Sequence, residues 1–176
     1  MPILPLSNWT QTYKDIFYGK FDATERPMLW AKWVHKNSKG MQSTPYTTSV
    51  NILEQAFPPV SLPAGTAAQA AQFISQAWFS YVCSAVWTPA PPIPPFSAVT
   101  SVVMNVAILT AAQDTLMSAL LTEMMNLTSG SAALETKALN IATAFYTASL
   151  SMGVLVTGLS LPTPTPIALI VPSVIF

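Results

Sequence analysis

Between Glu54 and Asp114 the chain carries no charged side chain. Over all 176 residues only 8% are Asp, Glu, Lys or Arg, against about 25% in an ordinary soluble domain. A free monomer stays in solution through interspersed surface charge and small apolar patches. A chain of this length has more surface than so few charges can cover. It is therefore expected to live packed against lipid or against other protein.

The length suits one domain with enough chain to bury a core. Apolar residues make up 51%, mean hydropathy is +0.45, and sixteen prolines outnumber six glycines. That ratio predicts stiff, extended connectors. Net charge is zero but unevenly placed. Lys14, Lys20, Arg26, Lys32, Lys36 and Lys39 dominate the head over Asp15, Asp22 and Glu25, whereas Lys137 alone opposes Glu54, Asp114, Glu123 and Glu135 beyond it. Such a dipolar chain favours docking of a basic head on a neighbour's faintly acidic body. The single cysteine, Cys83, excludes an internal disulfide. Met1 to Ser7 lacks the basic and apolar regions of a secretory leader, so export by that route is not expected.

Ser7 is a candidate N-cap for a helix to about Tyr18, and a second helix is expected from Arg26 or Pro27 to about Lys36. Thr47 to Phe57 suggests a short third helix. From Ala64 to Val86, Phe73, Ile74, Ala77, Trp78, Tyr81, Val82 and Ala85 form an amphipathic stripe. Thr88 to Pro95 should be extended polyproline. Ser97 is expected to cap a long helix to about Leu127, with Val99, Val102, Val106, Leu109, Leu116, Leu120 and Leu127 on one face. Another is expected from Ala132 to Val156. The fold class predicted is thus mainly α: a bundle of about three long helices with Pro-rich connectors and extended terminal arms. It divides into a basic aromatic head (1–45), the bundle (46–160) and an extended apolar tail (161–176). Ala71–Ser80 also aligns without gaps on Ala138–Thr147, placing Ile74 on Ile141, Ala77 on Ala144 and Trp78 on Phe145. This is a weak internal repeat.

A membrane-spanning helix needs about 20 predominantly apolar residues. Ala138 to Leu159 is long enough and uncharged, but Asn140, Thr143, Thr147, Ser149, Ser151 and Thr157 are scattered around it. Asp114 and Glu123 interrupt the preceding helix, at about 2.5–3.5 kcal/mol each in a bilayer centre. Protein is the better neighbour; a small membrane protein of the pore-forming kind is the second reading. Small residues (Ala68, Ala71, Ala77, Ala85; Ala138, Ala142, Ala148) permit close helix approach.

No GxSxG, P-loop or GxGxxG pattern is present. His35 is the only histidine, a poor start for a metal site. Cys83 has no basic neighbour in sequence and reads as a buried structural thiol. No catalytic, cofactor-binding or metal-binding residue is predicted, and the chain is expected not to be an enzyme. The acids in the head argue against nucleic acid as a partner. Interfaces draw their binding energy from buried aromatics, and extended apolar segments add to a partner's sheet edge or groove. The predicted contact residues are Trp30, Trp33, Trp78, Phe79, Phe145, Tyr146, Ile170, Val171, Ile175 and Phe176.

The Ala-rich helix with an aromatic pair (Ala77-Trp78-Phe79 and Ala144-Phe145-Tyr146), followed by a Thr/Pro/Gly strip in a nearly chargeless chain, resembles small structural proteins of tailed-phage virions. The likeness spans about Thr47 to Pro166, and this chain is richer in proline than such proteins require. It implies a neck, baseplate or capsid-ornament subunit of a virion assembled in the host cytoplasm. Its partners would be copies of itself and other structural proteins, with no cofactor.

Overall fold

The computed structural model describes residues 4–19, 25–38, 46–48, 66–83, 87–89, 96–126, 130–160 and 165–172. Among these are helices α1 (Leu6–Phe17), α2 (Arg26–Ser38), α3 (Ala67–Cys83), α4 (Val106–Met125) and α5 (Ser131–Leu150). The strands are β1 (Tyr46–Thr48), β2 (Trp87–Pro89), β3 (Phe96–Met104), β4 (Gly153–Ser160) and β5 (Pro166–Pro172). The chain is mainly helical, as expected, and antiparallel sheet, which was not expected, joins the helices. β1 pairs with β2, and β3, β4 and β5 form a three-stranded sheet in that order.

Two expected helices are shorter than their apolar stripes. The segment from Ser97 to Met104 belongs to β3 rather than to the helix expected to start there. Val99, Thr100, Val102 and Val103 are β-branched, which disfavours helix and suits a pleated strand. Asn105 then accepts the Ile108 N–H on its side chain at 3.1 Å and starts α4. Likewise α5 ends at Leu150 instead of Val156, and Gly153-Val-Leu-Val-Thr157 enters β4. Ser7 is not the cap of α1; Pro5 is, its carbonyl accepting the Asn8 N–H at 2.9 Å. Proline supplies no side-chain cap, but its restricted backbone sets the first turn. Tyr46–Thr48 is strand, not helix, and residues 49–57 of the expected third helix lie outside the described residues. In the expected polyproline strip Trp87–Pro89 forms β2, and 90–95 lie outside. The expected extended tail is extended over Pro166–Pro172, as a strand of the chain's own sheet.

Helix packing runs α3 on α4, α4 on α5, α5 on α1 and α1 on α2. Ala71, Ile74, Ser75, Trp78, Tyr81 and Val82 form the buried stripe of α3, and Leu109, Ala112, Leu116 and Leu120 that of α4. From α5, Phe145 enters an aromatic cluster supplied by the first two helices. Its ring lies 6.5 Å from Trp9, 5.9 Å from Trp30 and 5.0 Å from Trp33, the last edge to face. The Trp33 indole donates to the Trp9 carbonyl at 3.0 Å, and the Trp9 indole to the Leu4 carbonyl at 3.2 Å. Tyr13 and Phe17 extend the cluster. Trp9, Trp33 and Phe145 are 0% exposed. At the rim, Lys14 meets the Glu135 carboxylate at 2.8 Å, and the Tyr18 hydroxyl donates to the Leu134 carbonyl. This basic residue of the head therefore docks on its own α5.

The two aligned helical segments have nearly the same burial. Ala71, Ile74, Ser75 and Trp78 are buried, and so are Ala138, Ile141, Ala142 and Phe145; Phe79 and Tyr146 are both half-buried. The helices end at matching positions, Cys83 and Leu150. At the same offset, Trp87–Pro89 of β2 falls on Val154–Val156 of β4. Their partners, Thr48 opposite Trp87 and Met104 opposite Val154, correspond in pairing though not at the same offset. After those partners the sequence reads Ser49-Val-Asn-Ile-Leu53 in one case and Asn105-Val-Ala-Ile-Leu109 in the other.

Phe145→Ala is expected to cost about 3–5 kcal/mol in urea unfolding, since it empties the centre of the aromatic cluster. Burial, and then the negative charge of Glu135, raise the Tyr18 hydroxyl above its ordinary value of 10.0. The unfolded chain thus loses this proton first. The contribution is complete below pH 10 and is lost as pH rises through the folded value. Tyr18→Phe should accordingly flatten the fall in stability above pH 10, measured by thermal melts at stepped pH.

Candidate protein–protein interface

None of the residues in β3, β4 and β5 is charged. β4 lies at the centre, with Val154 and Val156 fully buried. Register and strand alternation place Val103, Leu155 and Ile170 in one row on the opposite face, and Ser101, Thr157 and Ala168 in the next. An antiparallel sheet with one face in solvent ordinarily shows polar residues there. Here Val103 is 51% exposed and Ile170 56%, with Val106 of α4 57% exposed just beyond β3. The polar members of the face are hydroxyls that satisfy one another: Ser101 Oγ lies 2.6 Å from Thr157 Oγ1, and Thr100 Oγ1 donates to the Thr157 carbonyl at 3.0 Å. Water gains little from such a face, and it presents no charge that a partner must neutralise.

The predicted contact residues separate into two groups. Trp30, Trp33, Trp78 and Phe145 are buried in the chain's own core. Phe79 and Tyr146 are half-buried at its edge, and Ile170 lies on the open sheet face. Val171 is in β5, while Ile175 and Phe176 lie outside the described residues. Sequence reasoning missed Val103, Val106 and Leu169, all exposed. The available signal was the β-branched run Val99–Val103, whose spacing also fits a helix stripe.

A groove of about 270 Å³ runs between α4 and α5, lined by Thr115, Ala119, Asn140, Thr143, Ala144 and Thr147. The Asn140 amide donates to the buried Glu123 carboxylate at 2.8 Å, and Glu123 Oε2 has no hydrogen-bond partner among the described residues. Most of the lining hydroxyls are occupied locally, Thr115 bonding the Ala111 carbonyl and Thr143 that of Leu139. Cys83 is exposed rather than buried, and the partial desolvation it does have raises its thiol above the ordinary value, which lowers its thiolate content at neutral pH. Among the described residues, no group of three or more His, Cys, Asp or Glu side chains is placed to hold a metal. No helix among them is long and apolar enough to cross a membrane. Comparison with protein-family models, with curated proteins and with solved structures finds no match to this chain.

Proposed function

We propose that this chain is a non-enzymatic structural subunit of a large protein assembly, with a tailed-phage particle as the setting its sequence texture suggests. The observation that carries the reading is the chargeless sheet face with Val103 and Ile170 half exposed or more. Burying such a face in a protein neighbour removes apolar surface from water at roughly 25 cal/mol per Å² without desolvating an ion. In this reading α3, α4 and α5 are the rigid block of a duplicated unit, and the aromatic head locks onto it. The sheet and the tail beyond it then reach sister or companion subunits. Such a protein needs no cofactor, and its site is a surface rather than a pocket.

The test is deletion of 167–176, which removes most of β5 and everything after it. Incorporation into the purified particle should be abolished, while helical circular dichroism is retained because the aromatic cluster lies elsewhere. Incorporation at the wild-type level would refute the reading. Flotation of the full chain with lipid vesicles, resistant to high salt and carbonate, would support a membrane protein instead.

A further inference from the structure

The outer strand β5 is a sheet edge whose hydrogen-bonding pattern can be derived residue by residue. The Ser160 N–H donates to the Thr165 carbonyl at 2.8 Å, just outside the pair Leu159–Pro166. Bonded pairs alternate in an antiparallel ladder. Ile167, Leu169 and Val171 therefore direct their backbone groups toward Gly158, Val156 and Val154. Pro166, Ala168, Ile170 and Pro172 direct theirs outward. The two prolines, which have no N–H, occupy outward positions where they break no bond to β4. Between them, Ala168 and Ile170 present the open donors of the strand.

Edges of this kind are ordinarily blunted by lysine, proline, an inward charge or a covering element, and here Pro166 and Pro172 close only the two ends of the edge. β5 has no charge, and Leu169 and Ile170 are 40% and 56% exposed. The chain itself shows what a related strand does with such an edge. At the offset relating Ala71 to Ala138, Val102–Met104 of β3 fall on Leu169–Val171. Among the described residues β3 has β4 paired along it and β2 close by, whereas β5 is paired with β4 alone.

We infer that the outer edge of β5 pairs antiparallel with β5 of a second copy, about a two-fold axis at Leu169. This deepens the proposed structural role and rests on it by naming one partner surface. The prolines select the register. Centred on Leu169, Ala168 of each copy faces Ile170 of the other, so both outward donors meet a carbonyl and Pro166 lies opposite Pro172. An axis at Ala168, Leu169 or Ile170 gives all four outward donors a carbonyl and leaves four carbonyls without one. Centred on Leu169 these are the proline carbonyls at the two ends, whereas an axis at Ala168 or Ile170 sets a proline against one of those residues and moves unpaired carbonyls into the paired stretch. The chosen register also places small Ala168 beside the larger Ile170 on the exposed face, and brings no like charges together. The two three-stranded sheets become one continuous sheet, closed by symmetry so that neither β5 edge remains open.

Single cysteines test this in a Cys83→Ser background, needed because Cys83 is exposed. Across the axis Leu169 meets its own counterpart as a non-bonded pair, with Cα atoms about 4.5 Å apart, within disulfide reach. Under copper–phenanthroline oxidation, Leu169→Cys should form a covalent dimer at least roughly tenfold faster than Ile167→Cys, whose counterpart lies too far away. Mixing Ile167→Cys with Val171→Cys should restore cross-linking. Ile170→Pro removes an outward donor without touching the bonds to β4. It should abolish both the Leu169→Cys cross-link and the dimer mass seen by light scattering, with circular dichroism unchanged. Equal cross-linking at 167 and 169, or no cross-link in folded Leu169→Cys protein, would overturn the inference. Self-association that survives Ile170→Pro would also overturn it, while leaving the structural role intact.

Discussion

The insertion of Phe145 among three tryptophans holds the molecule together. Trp9 comes from α1, Trp30 and Trp33 from α2, and Phe145 from α5, so one cluster joins segments distant in sequence. Aromatic side chains each bury about 150–250 Å² and gain further from edge-to-face geometry. No comparable contribution comes from charge at this junction. The Lys14–Glu135 pair is partly exposed and belongs to the class worth about 0–1 kcal/mol. With so few ions available, the fold relies on shape, and its polar groups are mostly hydroxyls that bond to nearby backbone.

The same economy of charge gives the surface its character. Helix α5 uses Ala138, Ile141, Ala142 and Phe145 inward, while Leu134 and Leu139 remain exposed. The sheet buries Val154 and Val156 and leaves Val103 and Ile170 outside. These exposed apolar residues lie on regular elements, where partners can be met in a fixed geometry. Pro166 and Pro172 bound β5 at positions where the missing N–H breaks no bond to β4.

Much of the helical framework was legible from periodicity. Ile74, Trp78 and Tyr81, or Leu109, Leu116 and Leu120, recur at helical spacing and do line buried faces. The strands were not legible, because Val99, Val102 and Val106 satisfy a helical stripe as well as a strand. Local preference of β-branched residues, the Asn105 cap and the pairing of Met104 with Val154 decided the matter. The candidate interface was only partly readable for a related reason. Trp30, Trp33, Trp78 and Phe145 were selected as aromatic anchors, but large aromatics fill a chain's own core as readily as a partner's pocket. Sequence alone does not say which neighbour they meet. Ile170 stood out because it belongs to an uncharged extended tail, and it is exposed in the folded chain.

An aromatic-centred core carries a sheet without charged residues and with apolar side chains exposed. The most direct test is sedimentation velocity of the full chain, purified without detergent, across a hundredfold range of concentration. The account predicts species heavier than the 18.9 kDa monomer, whose proportion grows with concentration and whose mass does not change when mild detergent is added. A stable single species at monomer mass throughout the range would contradict it.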